Sequence, residues 1–77
     1  MKEVILYTQP DCPPCQIMKY FFSENNVEYV EKNIKQDKKA FNELTKQYGS
    51  YTTPTVIIDG KAIIGFELDE VEKALEL

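Results

Sequence analysis

The chain of 77 residues has no histidine, no arginine and no tryptophan, and all nine of its cations are lysine. Without histidine it can form neither a Cys–His nor a Ser–His nucleophilic pair, and no zinc site of mixed Cys and His ligands. Without arginine it lacks the planar fork that grips phosphates, and thirteen acidic residues against nine lysines leave a net charge of −4. Nucleic acid is therefore not expected as a partner. Apolar runs are no longer than Val4-Ile5-Leu6-Tyr7, far short of a membrane span. Met1-Lys2-Glu3 leads straight into that run, which is too brief for a signal peptide, so the expected location is cytoplasmic. Only two cysteines are present, too few for a small scaffold stapled by disulfides. Repeats, linkers and low-complexity stretches are also missing.

What is present fits one small domain over residues 1–77, with 43% hydrophobic and 29% charged residues. Val4 to Tyr7 reads as a buried strand bounded by Gln9-Pro10-Asp11. After the cysteines, Met18, Phe21 and Phe22 recur at helical spacing up to Glu24-Asn25-Asn26, and Val27, Tyr29 and Val30 suggest a second strand. Asp37 can cap a second helix along which Phe41, Leu44 and Tyr48 run, with Gly49 at its left-handed end. Phe21, Phe22, Phe41 and Tyr48 are all expected in the core. Thr55–Ile58 and Lys61–Ile64 flank Asp59-Gly60, a strong hairpin signal. Asp69 with Glu72 imitates a capping box, and Leu68, Val71 and Leu75 form a third helical stripe. The order is β-α-β-α-β-β-α. A right-handed crossover and a hairpin then predict an α/β fold, a mixed four-stranded sheet with three helices.

Cys12 and Cys15 lie where the first helix leaves the first strand. A bond between them closes so short a loop that chain entropy gives at best about 2 kcal/mol, a poor staple. The pair makes more sense as chemistry. A cysteine attacks as its thiolate, only a few per cent of which exists at neutral pH when the pKa is about 8.5. A helix N-terminus favours the anion. With Cys12 as N-cap, Pro13 takes the first helical position, which suits proline. Pro14 removes a second N–H, so the Cys15 amide becomes the main backbone donor to the Cys12 sulfur. Asp11 opposes the thiolate, and Lys19, the nearest lysine in sequence, can offset it. The expected reaction is thiol–disulfide exchange, with Cys12 attacking and Cys15 resolving the mixed disulfide. The alternative is a soft-metal or iron–sulfur carrier, since a C-x-x-C pair is also half of a metal site. No second pair and no histidine completes four ligands within the chain, and the element order differs from that of small copper chaperones.

Strand, Cys12-Pro13-Pro14-Cys15, helix, and then Thr52-Thr53-Pro54-Thr55-Val56 opening a hairpin resemble the glutaredoxin branch of the thioredoxin superfamily. Gly65-Phe66-Glu67-Leu68-Asp69 before the last helix agrees, and the resemblance spans essentially all 77 residues. It implies a thioredoxin fold with sheet order 4-3-1-2 and the third strand antiparallel to the others. It also implies a cis Pro54 facing the cysteines, with Thr53 offering its backbone to a bound substrate. Base rates alone favour a trans proline opening a strand. No cofactor is implied, and the protein is expected to be a monomer acting on protein or glutathione-mixed disulfides.

Departures from the family pattern bear on the electron donor. Typical members have Lys three residues before the first cysteine and often Arg three before the cis-proline, together holding a carboxylate of glutathione. This chain has Gln9 and Tyr51 there. Gly65-Phe66 replaces a glycine pair, and Asp69, the candidate for the glutathione amino group, is offset. Gly65-Phe66 with a following Asp is similar to the redoxins that feed ribonucleotide reductase and draw on thioredoxin reductase. Thioredoxin reductase is thus the expected donor, with glutathione as the other possibility. The first strand offers Cys15 no buried carboxylate of the thioredoxin kind to take its proton. Tyr51 and Phe66 read either as an exposed apolar rim for a protein partner or as half-buried packing. Lys32, Lys35, Lys38 and Lys39 read as a solvated face, with a docking patch as the lesser alternative, and Glu67 as either a steering charge or plain surface.

Overall fold

Alternation along the first strand sends Val4, Leu6 and Thr8 to one side of the sheet and Ile5 and Tyr7 to the other, so both sides need cover. The computed structural model describes residues 2–77 and shows how that cover is arranged. Strand β1 (Val4–Thr8) leads to helix α1 (Pro13–Glu24), β2 (Val30–Asn33), the short helix α2 (Lys38–Asn42), the hairpin β3 (Thr55–Ile58) and β4 (Lys61–Ile64), and α3 (Leu68–Leu75). The four strands lie in the order β2-β1-β3-β4. β1 and β2 are parallel, while β3 is antiparallel to both β1 and β4. This is the expected sheet. Asp59 and Gly60 both take positive φ, at 49° and 86°, as a two-residue hairpin turn of the mirror type requires.

Two clusters fill the two sides. Val4, Leu6, Met18, Phe22, Val56, Ile58, Ile63 and Val71 pack between the sheet and helices α1 and α3. Tyr7, Ala40, Leu44 and Ile57 pack on the side of α2. Among the described residues no helix is long and apolar enough to cross a membrane.

Three local expectations are corrected. The second strand begins at Val30, not Val27, because the Val27 amide donates to Phe22 O at 2.9 Å and closes α1, with Asn26 in the left-handed conformation (φ 54°). Val27 and Tyr29 still pack on the core from the connection. Phe41 is 47% exposed rather than buried. Ala40 of α2 and Leu44 of the π-helical turn that follows it, Glu43–Gln47, take the sheet-facing positions. That wider turn rotates less per residue and keeps Tyr48 on the side of Leu44; the Thr45 hydroxyl, donating to Phe41 O at 3.0 Å, accompanies it. Finally, α3 begins earlier than a capping box at Asp69 implies. Glu67 is its N-cap without a side-chain bond, because Leu68 and Val71 reach the core together only if the helix includes both. Asp69 is left exposed in the first turn, where its charge suits the helix dipole. Asp37 caps α2 as expected, accepting from the amides of Lys39 and Ala40.

Candidate functional site

The end of β1 and the start of α1 meet in a loop whose tightest point is Asp11, at φ 57°. Aspartate tolerates this conformation better than most side chains do. The chain then extends at Cys12 (φ −118°, ψ 91°) and enters the helix through Pro13 and Pro14. Cys12 is the N-cap. Its carbonyl accepts from the amides of Cys15 (3.0 Å) and Gln16 (3.2 Å), and its Sγ accepts from the Cys15 amide at 3.3 Å. The two prolines have no N–H, so the Cys15 amide is the first available donor, as the spacing requires.

Cys12 and Cys15 are joined as a disulfide, with Cα atoms 5.2 Å apart. Cys12 retains 7% exposure and Cys15 none. Cys12 is thus the less buried of the two. That asymmetry is what sequential attack and resolution need.

The cis Thr53-Pro54 bond closes the site from the hairpin side. Thr53 Oγ1 lies 3.5 Å from Cys12 Sγ and also accepts from Gln9 Nε2 at 3.0 Å. Pro54 is buried, and its carbonyl accepts from the Gly65 amide at 3.0 Å, which joins the third motif to the second. Gly65 has φ 89°, a conformation that favours glycine, and the turn closes with Glu67 N donating to Gly65 O. Of the residues read from sequence, Gln9, Cys12, Cys15, Thr53, Pro54 and Gly65 are thus linked through hydrogen bonds and the disulfide. Tyr51 (83% exposed) and Phe66 (42%) both face solvent, so neither is half-buried packing. Among the described residues no hydrogen bond joins the Asp69 side chain to this group.

Lys19 does not serve the sulfur. Its Nζ lies 2.8 Å from Glu31 Oε2, an oxygen that also accepts from the Thr8 hydroxyl at 2.8 Å. The Lys19 ammonium holds the Glu31 carboxyl below its ordinary pKa, burial working against it and the Thr8 hydroxyl with it. This bridge ties α1 to β1 and β2 behind the cysteines. Lys32, read as part of a solvated face, is instead paired with Glu43 at 2.9 Å. Two buried hydroxyl residues, Ser50 and Thr55, also support the site. The Thr55 hydroxyl donates to Thr52 O at 2.7 Å and lies 2.8 Å from Ser50 Oγ, bracing the loop that carries Thr53. A threonine at the head of the otherwise apolar Thr55-Val56-Ile57-Ile58 was the available signal. No group of three or more Cys, His, Asp or Glu side chains suited to a metal occurs among the described residues.

Known proteins are similar to this chain in sequence and fold. The chain is 35% identical over 74 residues to an uncharacterized glutaredoxin-like 8.6 kDa protein in a rubredoxin operon of Clostridium pasteurianum, covering 92% of this chain and 95% of that one. The crystal structure of the thioredoxin-like protein BC3987 superposes with a TM-score of 0.92 at 47% identity, over 94% of this chain and 99% of that one. Glutaredoxin 1 from Francisella tularensis, solved with cacodylate, gives 0.77 at 29% identity over the full length of both. With the glutaredoxin family model matching residues 4–63, the chain belongs to the glutaredoxin family and is a glutaredoxin-like redox protein with a thioredoxin fold.

Proposed function

We propose that the protein is a dithiol oxidoreductase that reduces disulfides by exchange. The Cys12 thiolate attacks one sulfur of a substrate disulfide, forming a mixed disulfide and expelling the other sulfur as a thiolate, which takes a proton. Cys15 then loses its proton to water or to the departing thiolate and attacks Cys12 Sγ. The Cys12–Cys15 disulfide forms and the substrate leaves with two reduced sulfurs. Two electrons from an external donor restore the dithiol. The observation that carries this reading is the contrast between Cys12, capping a helix, bonded to the Cys15 amide and retaining some exposure, and a Cys15 with none.

The substrates are protein disulfides or glutathione-mixed disulfides, and the donor is thioredoxin reductase in preference to glutathione. Gln9 turns its amide towards Thr53 rather than outward, Tyr51 is uncharged, and Asp69 is not joined to the site. A glutathione carboxylate would find no cation at either position. The NrdH-redoxin from Escherichia coli, glutaredoxin-like in structure and described as thioredoxin-like in its activity profile, shares the fold with a TM-score of 0.83. The protein acts in the cytoplasm as a monomer, and Tyr51 and Phe66 form the rim that meets its protein partners.

The reading is tested by following NADPH consumption while a small disulfide is reduced. The dithiol is regenerated either by thioredoxin reductase or by glutathione with its reductase. Turnover with the first and little with the second is expected, and Cys12→Ser abolishes both. Efficient turnover with glutathione alone reverses the choice of donor. Turnover surviving in Cys12→Ser overturns the mechanism.

A further inference from the structure

The charged residues around Cys12 do not account for an anionic sulfur. Asp11 adjoins it in the loop and opposes a thiolate, and among the described residues no lysine is shown in contact with the sulfur. Lys19 on α1 is committed to Glu31, Lys32 on β2 to Glu43, and the loop from Tyr51 to Pro54 carries no charge. What does face the sulfur is neutral. One donor is the Cys15 amide at 3.3 Å. The second follows from counting hydrogens. An amide nitrogen can only donate, so in the 3.0 Å contact between Gln9 Nε2 and Thr53 Oγ1 the threonine oxygen is the acceptor. Its single hydrogen is then left for another neighbour, and Cys12 Sγ lies 3.5 Å away.

We propose that Gln9 is a positioning residue that acts through Thr53, turning the Thr53 hydroxyl onto Cys12 so that it donates to the thiolate in the reduced protein. This deepens the exchange mechanism proposed above and rests on it. The Ser50 and Thr55 hydroxyls, which contact each other and both donate to the Thr52 carbonyl, hold the backbone next to Thr53, leaving rotation of the Thr53 hydroxyl as the freedom Gln9 removes. At the position where the resemblance puts an outward lysine for glutathione, this chain turns an amide inward. A neutral relay thereby takes up work that no nearby cation is placed to do.

The test is the pKa of Cys12 in the fully reduced protein, read from the pH dependence of its iodoacetamide alkylation with the label located by mass spectrometry. Thr53→Val should raise that pKa by about one, a tenfold loss of thiolate where little is ionised. Thr53→Ser, which keeps the hydroxyl, should leave it at the wild-type value. Gln9→Ala should raise it by a smaller amount, and adding Gln9→Ala to Thr53→Val should change nothing further, because Gln9 acts only through that hydroxyl. Additive effects in the double variant overturn the proposal. So does a fall in pKa for Gln9→Ala, which would mean that the amide oxygen accepts the Thr53 hydrogen. Circular dichroism confirms that each variant is folded. A wild-type Cys12 that titrates like a free thiol, at about 8.5, would defeat the exchange mechanism itself. A depressed wild-type pKa that the variants leave unmoved would defeat this inference alone.

Discussion

The two sides of the sheet are built on different physics. The side under α1 and α3 is closed mainly by aliphatic and aromatic packing, with the Phe22 and Tyr29 rings tilted against each other at 4.9 Å between centroids and the Lys19–Glu31 pair at its edge. The side under α2 has a smaller cluster and depends on a polar anchor. There the Tyr7 hydroxyl donates to Glu43 Oε1 at 2.9 Å, Lys32 reaches the same oxygen at 2.9 Å, and the Lys32 ammonium lies over the Tyr7 ring. The reactive pair rides on the first side, at the head of a twelve-residue helix. α2 has five residues and carries no site group. The larger apolar cluster thus lies on the side that carries the two sulfurs, and the smaller one on the side of the short helix.

Cavities should separate the two sides most strongly. Phe22→Ala removes a fully buried ring and should cost about 3–5 kcal/mol, a large part of the stability of a domain this small. Leu44→Ala, on the α2 side, should cost about 2–3 kcal/mol, because a leucine is smaller and the short helix can settle into the space. Urea denaturation of both variants measures the difference. A loss for Leu44→Ala that equals or exceeds the Phe22→Ala loss would remove the distinction.

Acidity should act through the carboxylate anchors, Glu43 on the α2 side and Glu31 on the α1 side. The Lys32 ammonium, and after it the Tyr7 hydroxyl, hold the Glu43 carboxyl below its ordinary pKa, with burial opposing them. A carboxyl depressed in the folded state contributes stability that is present above its unfolded value, about 4.3, and is lost as pH falls through the folded value. Tyr7 works at the other end. Burial, then its bond to Glu43, raises its pKa, so its contribution holds below the unfolded value of about 10 and fades above it. Glu43→Gln keeps an acceptor for Tyr7 but has no charge to lose. It should therefore be less stable than the wild type at about pH 7 and should lose less on acidification to about pH 3. Urea midpoints at the two pH values check this, and an unchanged acid response would show that other carboxylates govern it.

The same contrast explains what could be read from the sequence. The apolar side was legible because its signals are local: the stripe of Met18, Phe21 and Phe22, the Asp59-Gly60 turn, the prolines after Cys12. Each follows from a few adjacent residues, and so does Cys12 as N-cap. The polar anchors were not legible, because they join residues far apart in the chain. Gln9 meets Thr53 across 44 positions and Tyr7 meets Glu43 across 36, and nothing near either residue announces its partner. Lys19 and Lys32 were misjudged for this reason, since a lysine in sequence looks solvated until its carboxylate is known. Phe41 faces outward because Ala40 and Leu44, four residues apart, share the sheet-facing side, and a small alanine is a weaker signal of a buried face than a phenylalanine.

The smallest effect isolates α2 from the cysteines. Asp37 accepts from the amides of Lys39 at 3.0 Å and Ala40 at 3.2 Å, and removing such a cap costs about 1 kcal/mol. Asp37→Ala should lower the urea midpoint by a corresponding amount. It should leave both the turnover of disulfides and the Cys12 alkylation profile at their wild-type values, measured well below the unfolding transition. The reason lies in the connectivity: the loop that braces Thr53 is held by Ser50, Thr52 and Thr55, after the π-helical turn has ended, and Cys12 is set by β1 and α1. Slower turnover in a folded Asp37→Ala protein would show that α2 reaches the sulfurs through the sheet, and the two sides would then have to be treated as one.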